Sequence, residues 1–214
     1  MTVVLIHAFP LDERMWQPQL ESLEGEDVYV PNLYDLGGNS VDGWAEHILE
    51  RVEGDLVVVG ASLGGYVALA MARISPDRVR GLLLAGSRAT PDPPERRELR
   101  DQMIEVVRAE GIEGWNRDFS PAGPDDRTTD ELVAGIEALR DRRDATQVVA
   151  GFEKPFVLLV GDEDEILPVD EARQIAESAP DGRLEIVEGA GHLVSVDAPD
   201  RFNQILRELL QRAR

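Results

Sequence analysis

Six short apolar runs, spread along the whole chain and separated by helical patterns, constrain the fold more than any other feature of this sequence. They are Val3–Ile6, Val28–Val30, Leu56–Val59, Val79–Leu84, Phe156–Val160 and Leu184–Val187, rich in β-branched residues or leucine. A strand that is apolar at successive positions, rather than at alternate ones, suits burial on both faces, as in a parallel sheet covered by helices. The segments between the runs supply those helices. Trp44, Ile48, Leu49 and Val52 recur at helical spacing. Leu63–Ile74 is apolar nearly all round, which fits a central helix packed on the sheet. "DEARQIAESAP" and "PDRFNQILRELLQRAR" open with acidic or proline start signals and form the last two helices. The alternation predicts an α/β fold with a doubly wound, mostly parallel sheet of about six strands.

One stretch has no strand candidate. Within residues 88–150, "PDPPERRELRDQMIEVVRAEG" sets Leu99, Met103, Val106 and Val107 on one face, and "TDELVAGIEALRDRRD" does the same with Leu132, Ile136 and Leu139. Between them lies "WNRDFSPAGPDDRTT", rich in turn formers. We read residues 88–150 as a short helical cap inserted between the fourth and fifth strands of a core formed by residues 1–87 and 151–214. Helices inserted there sit over the carboxyl ends of the strands, where open α/β sheets bind ligands.

Charge narrows the partners. Acidic residues outnumber basic ones 42 to 22, giving a net charge of −20, and Lys154 is the only lysine. Such a surface repels nucleic acid and anionic lipid, so neither nucleic acid nor membrane is expected as a partner. The charge suits solubility, or adaptation to salt or heat; as a cue to substrate it points to a cation. With no cysteine there are no disulfides, thiolate metal sites or cysteine nucleophiles. The opening "MTVVLIHAFP" has too short an apolar run for a leader peptide, and no apolar stretch reaches bilayer length. The expectation is a soluble cytoplasmic protein.

The chemistry concentrates at strand ends. "Gly60-Ala61-Ser62-Leu63-Gly64" fits G-x-S-x-G between a strand and a helix, a tight turn that exposes one hydroxyl. It is no phosphate loop, because neither G-x-G-x-x-G nor a following G-K-[ST] is present. A serine hydroxyl is a weak nucleophile until an imidazole takes its proton. Of three histidines, His47 lies on the polar side of a helix beside Glu46 and Glu50, His7 follows the first strand, and His192 follows the last in "EGAGHLVS". His192 is the candidate base. The base needs a carboxylate to fix its tautomer. "Gly161-Asp162-Glu163-Asp164-Glu165" offers four acids after the fifth strand, with Asp164 favoured by position and Asp162 in reserve. For the oxyanion, "His7-Ala8-Phe9-Pro10" offers the Phe9 amide, since Pro10 has no N–H, and Leu63 at the helix start offers a second. His7, Ser62, Asp164 and His192 thus follow four different strands, and in a parallel sheet those ends share one edge.

With these residues in view, the chain resembles the α/β-hydrolase superfamily over essentially its whole length. "HAFPLDERMW", "GASLGGYVALAMA", "LLVGDEDEILP" and "GAGHLVSVDAPDRFN" match that family's loop signatures. The resemblance implies a serine–acid–histidine order, an acid three residues after the glycine closing its strand (which selects Asp164), and an oxyanion amide from Phe9. Within the superfamily the chain is most similar to small serine esterases and the 3-oxoadipate enol-lactonase-like group. It departs in having Ala8 where relatives commonly have glycine, in lacking the usual strands before the first one here, and in its short cap. Ser62 argues against dehalogenase and epoxide-hydrolase chemistry, which uses aspartate at this place. The implied activity is hydrolysis of a small carboxylic ester or lactone through an acyl-enzyme on Ser62, with no cofactor and no metal. A cofactor-free perhydrolase or haloperoxidase, or a slow-turnover ligand receptor, would use the same triad. His7, Trp16, Trp115 and Phe119 are candidates to line the substrate pocket. Arg88, Arg117 and Arg127 are candidates to meet the carboxylates of an enol-lactone.

Overall fold

The computed structural model describes residues 1–119 and 126–214; the central "SPAGPD" of the turn-rich stretch lies outside the described residues. The chain runs β1 (Thr2–Ile6), α1 (Gln17–Ser22), β2 (Asp27–Tyr29), α2 (Val41–Arg51), β3 (Leu56–Ala61), α3 (Leu63–Ile74) and β4 (Val79–Ala85). It continues through α4 (Pro94–Asp118), α5 (Thr129–Asp141) and α6 (Thr146–Ala150) to β5 (Phe156–Gly161), α7 (Val169–Ser178), β6 (Gly182–Val187), α8 (Val194–Asp197) and α9 (Pro199–Ala213). The six strands coincide with the six apolar runs, give or take a few residues at the ends.

The strands form one parallel sheet in the order β2-β1-β3-β4-β5-β6. Successive side chains of each central strand enter opposite layers, so both layers must be apolar. Val4, Ile6, Val58, Leu84 and Leu158 point into a core completed by α2, α3, α6 and α7. Val3, Leu5, Val59, Leu83 and Leu159 point the other way, against Phe202, Ile205, Leu206 and Leu209 of α9. Full burial of each such side chain contributes about 1.5–3 kcal/mol, which explains why the strands read as continuous apolar runs.

The topology also fixes where a ligand can enter. From β1 the chain moves outward to β2, then returns to lay β3 on the opposite side of β1. Strand order reverses between β1 and β3, and the loops leaving their carboxyl ends diverge to leave a crevice.

Between β4 and β5, α4 and α5 pack around a small cluster of their own: Ile104, Val107, Trp115, Leu132, Val133 and Ile136. Thr128 starts α5 with a capping box, its Oγ1 accepting from the Glu131 amide at 3.2 Å while Glu131 Oε2 accepts from the Thr128 amide at 2.7 Å. Gly111, at φ +62°, interrupts α4, and the chain then resumes helical conformation up to Asp118. "WNRD", read from sequence as part of a turn-rich connection, is therefore helical. Trp115 anchors that last turn in the cluster, and burial of the indole outweighs the local preference of its polar neighbours. The insertion also feeds the main core through Ala138, Leu139 and Val149. Among the described residues no helix is long and apolar enough to cross a membrane.

Candidate active site

The β3–α3 turn sets the first group. Ser62 sits at φ +48°, the only positive φ outside glycine among the described residues, a conformation that surrounding structure must enforce. The enforcement is visible. The Ser62 amide donates to Ala85 O at 2.8 Å, and its carbonyl accepts from Ser87 Oγ at 2.9 Å and the Gly65 amide at 3.0 Å. The strand and helix cross so closely that a Cβ on Gly60 would lie 2.3 Å from the Gly64 carbonyl carbon. One on Gly64 would lie 2.1 Å from Ile6 O. The motif's glycines are thus required by contact distance, and the hydroxyl is driven outward at the sheet's edge.

The loop after β6 brings His192 to that hydroxyl. Its Nε2 lies 2.9 Å from Ser62 Oγ. Its Nδ1 lies 2.9 Å and 3.1 Å from the two carboxylate oxygens of Asp164. These contacts assign the Nδ1–H tautomer, with Nδ1 donating to Asp164 and Nε2 left to accept from serine. The Asp164 side chain is fully buried, and its Oδ1 also accepts from the Ile166 amide at 2.8 Å and the Leu167 amide at 2.9 Å. Burial opposes its ionisation, but the hydrogen bonds from His192 and the two amides outweigh this and hold the carboxyl below its usual range. Asp162 is occupied elsewhere, its Oδ1 accepting from the Gly189 amide at 2.7 Å.

Phe9 lines the same cleft as Ser62, and Leu63 follows Ser62 in the chain. Among the described residues neither the Phe9 N–H, at the end of the loop from β1, nor the Leu63 N–H, the first of α3, has an acceptor. The Leu63 amide also benefits from the positive end of α3.

Above the hydroxyl opens a cleft of about 290 Å³. Phe9, Trp115, Phe119, Met103 and Leu139 give it an apolar side, with Trp115 edge-on to Phe9 at 5.1 Å between ring centres. Trp115 and Phe119 thus sit where the sequence suggested. Trp16 does not: it is fully buried on the far face of the sheet against Phe202, 5.6 Å between ring centres, because α9 needs an aromatic partner there. His7 does not line the cleft either. It is buried beneath the loop, with Nδ1 donating to Ala8 O at 3.0 Å and Nε2 accepting from the Leu33 amide at 3.0 Å. Desolvation by burial pushes its pKa down to about 4, so it is a neutral backbone bracket.

Of the three candidate arginines only Arg88 lines the cleft. Arg117 is exposed and paired with Glu110 and Asp118, and Arg127 is buried against Asp12 at 2.8 Å. Sequence reasoning missed Arg96, Arg100 and Arg142, which share the cleft wall, and Gly86. A Cβ on Gly86 would lie 2.9 Å from the His192 ring, so its absence makes room for the imidazole. The glycine closing "LLLAG" at the end of β4 was the available signal for that role; the arginines carried none.

A model of the alpha/beta hydrolase family matches residues 3–205. The chain belongs to that family. Among its relatives, the pimeloyl-[acyl-carrier protein] methyl ester esterase of Aromatoleum aromaticum is 25% identical, over 98% of each chain. A malate-bound thermophilic esterase from Thermogutta terrifontis superposes with a TM-score of 0.87 at 30% identity, covering 100% of this chain and 90% of that one. The enol-lactonase of Burkholderia xenovorans LB400 shares this alpha/beta hydrolase's fold, with a TM-score of 0.74 at 19% identity over 98% of this chain and 91% of that one.

Proposed function

We propose that this alpha/beta hydrolase cleaves a small carboxylic ester or lactone through an acyl-enzyme on Ser62. The observation that carries the reading is the unbroken hydrogen-bond chain Ser62 Oγ–His192–Asp164 at the carboxyl edge of the sheet. Esterases among both the sequence relatives and the structural neighbours support the ester as substrate class.

The hydrogen-bond chain supports the following course. His192 Nε2 accepts the Ser62 proton as Oγ attacks the carbonyl, and the imidazolium formed is stabilised by Asp164, already ionised. The carbonyl oxygen becomes an oxyanion within reach of the Phe9 and Leu63 amides, each preorganised donor contributing roughly 3–4 kcal/mol in the transition state. His192 then gives its proton to the leaving alcohol. Water enters, His192 takes its proton, and collapse of the second tetrahedral species frees the acid and restores Ser62. The helical insertion, residues 88–150, serves in this reading as a short cap over the cleft.

Replacing Ser62 by alanine should lower turnover of p-nitrophenyl acetate and butyrate by roughly 10⁴–10⁶-fold, with little change in the thermal midpoint, since alanine keeps the backbone conformation at φ +48°. A variant retaining most of the activity would remove the serine from the mechanism. Octanoate and a lactone panel define acyl range. Peroxide-dependent halogenation of monochlorodimedone exceeding ester hydrolysis would favour perhydrolase chemistry instead.

A further inference from the structure

The opposite side of the cleft carries charge of a sign the chain as a whole lacks. Arg88, Arg96, Arg100 and Arg142 line it, against the single carboxylate Asp92. A second cavity adjoining the first, about 590 Å³, is bounded by Arg88, Asp92, Arg96 and Arg142 again, together with Glu171. Four arginines against two carboxylates leave a local excess of positive charge in a protein of net charge −20.

Three of the four are answered by the protein. Arg88 pairs with Glu171 at 2.8 Å. Asp92, its side chain 1% exposed, is shared by Arg142 at 2.7 Å and Arg100 at 3.2 Å. Arg142 also donates to Thr90 O and Leu139 O and lies over the Tyr66 ring. Arg96 differs. It is half-buried, stands one helical turn before Arg100 on α4, and its side chain has no acid or hydrogen-bond partner among the described residues. Burial of Arg100 opposes its charge, and the positive neighbours Arg142 and Arg96 add to that, so an anion here would relieve real repulsion. A planar guanidinium with both donor edges unused matches the two oxygens of a carboxylate.

We infer that the cleft selects an ester bearing a carboxylate, and that Arg96 is the group that receives it. This rests on the reading of Ser62 as nucleophile in the same cleft. It also reverses the substrate expected from overall charge. The reason is range: at physiological salt, fields fade over about 8 Å, so the arginines within the cleft decide the sign a bound substrate meets.

The test compares p-nitrophenyl hemiglutarate with p-nitrophenyl pentanoate, equal in acyl carbon count, at physiological salt. A second pair, 4-acetoxybenzoate and 4-acetoxybenzamide, places the charge on the leaving alcohol. The wild type should prefer the anionic member of at least one pair. Arg96→Gln should cut kcat/KM for that anion ten- to a hundredfold more, roughly one charged hydrogen-bonded contact, than for its neutral partner. Arg96→Lys should restore part of the preference. Calorimetry of glutarate binding to Ser62→Ala, with and without Arg96→Gln, reads the site without turnover. Binding that weakens with Arg96→Gln, alongside inert esters, would keep the anion site and defeat the hydrolase reading. Identical ratios in wild type and Arg96→Gln for both pairs, or glutarate binding indifferent to residue 96, would overturn the inference. So would tighter binding of inorganic phosphate than of glutarate.

Discussion

The proposed reacting groups and the helices between β4 and β5, proposed to cap them, are held by different kinds of force. Ser62 is fastened by three hydrogen bonds to its own backbone, and Asp164 by two amides from its own loop. Each follows a strand that is paired along both of its sides. The segment depends on six buried apolar residues of its own, on the buried pair Asp92–Arg142 at 2.7 Å and, on its outer side, on half-exposed ion pairs such as Arg140–Asp101 at 2.8 Å and Arg108–Glu137 at 2.9 Å. Pairs of that kind contribute about 0–1 kcal/mol each. In the proposed mechanism the sheet edge supplies positional precision, and the helices above it supply shape and charge that can vary without moving the chemistry. They touch at Phe9, whose ring lies 2.2 Å from where a Cβ on Gly135 of α5 would stand and whose amide is the proposed oxyanion donor.

The largest effect that would sharpen this division lies on the sheet side. Asp164→Asn keeps the shape but cannot stabilise an imidazolium, and the amide can hold His192 in the wrong tautomer. Turnover should fall about 10⁴-fold, by the same factor for short and long acyl chains, because the insertion is untouched. A fall that depended on acyl length would mean that the acid also organises the cleft.

On the insertion side, Trp115→Ala removes the contact with Phe9 and part of the small cluster. We expect it to cost about 3–5 kcal/mol of packing. KM for p-nitrophenyl octanoate should rise about tenfold, with a smaller change in kcat for acetate. Equal losses of kcat on both esters would break the comparison, since the insertion would then be propping the Phe9 amide.

The same division marks what the sequence made legible. The four central strands were readable because burial on both faces leaves a continuous apolar run, and the motif serine because only a tight strand-to-helix turn needs glycine on both sides. Asp164 could be preferred over Asp162 from spacing, but its hydrogen bonds to Ile166 and Leu167 could not be foreseen. Trp16 was misassigned because an aromatic residue after a site loop looks the same whether it faces the cleft or α9. The arginine wall was hidden for a deeper reason. Arg88, Arg96, Arg100 and Arg142 lie on three separate segments, and no local pattern separates an arginine that faces a cleft from one that faces water. Overall charge carries no information on that wall, being a sum over a surface whose sign the cleft lining does not share.

His7 lies beneath the junction and gives the smallest effect. Its ring contacts Tyr34 at 5.2 Å between centres, and Arg127, just before α5, lies over Tyr34. Burial is the main cause that lowers its pKa from 6.5 to about 4, the charge on Arg127 adds a little, and the Ala8 carbonyl and Asp12 act in the opposite direction. The folded state therefore binds this proton less readily than the unfolded chain does. Its share of stability is complete above pH 6.5 and drains away as pH falls towards 4, so that about 2 kcal/mol should be gone by pH 5. The carboxylates of Asp164 and Asp92, both lowered, act only in more acidic solution. Protonation also ends Nε2's ability to accept from the Leu33 amide, and this ties the loss to the loop that carries Phe9. In His7→Gln the side-chain oxygen can take that amide without titrating. Urea unfolding at pH 7 and pH 5 should show the acid-side loss in the wild type and little of it in the variant. The same loss in both would place the acid sensitivity elsewhere, and the floor beneath the Phe9 loop would then be insensitive to pH.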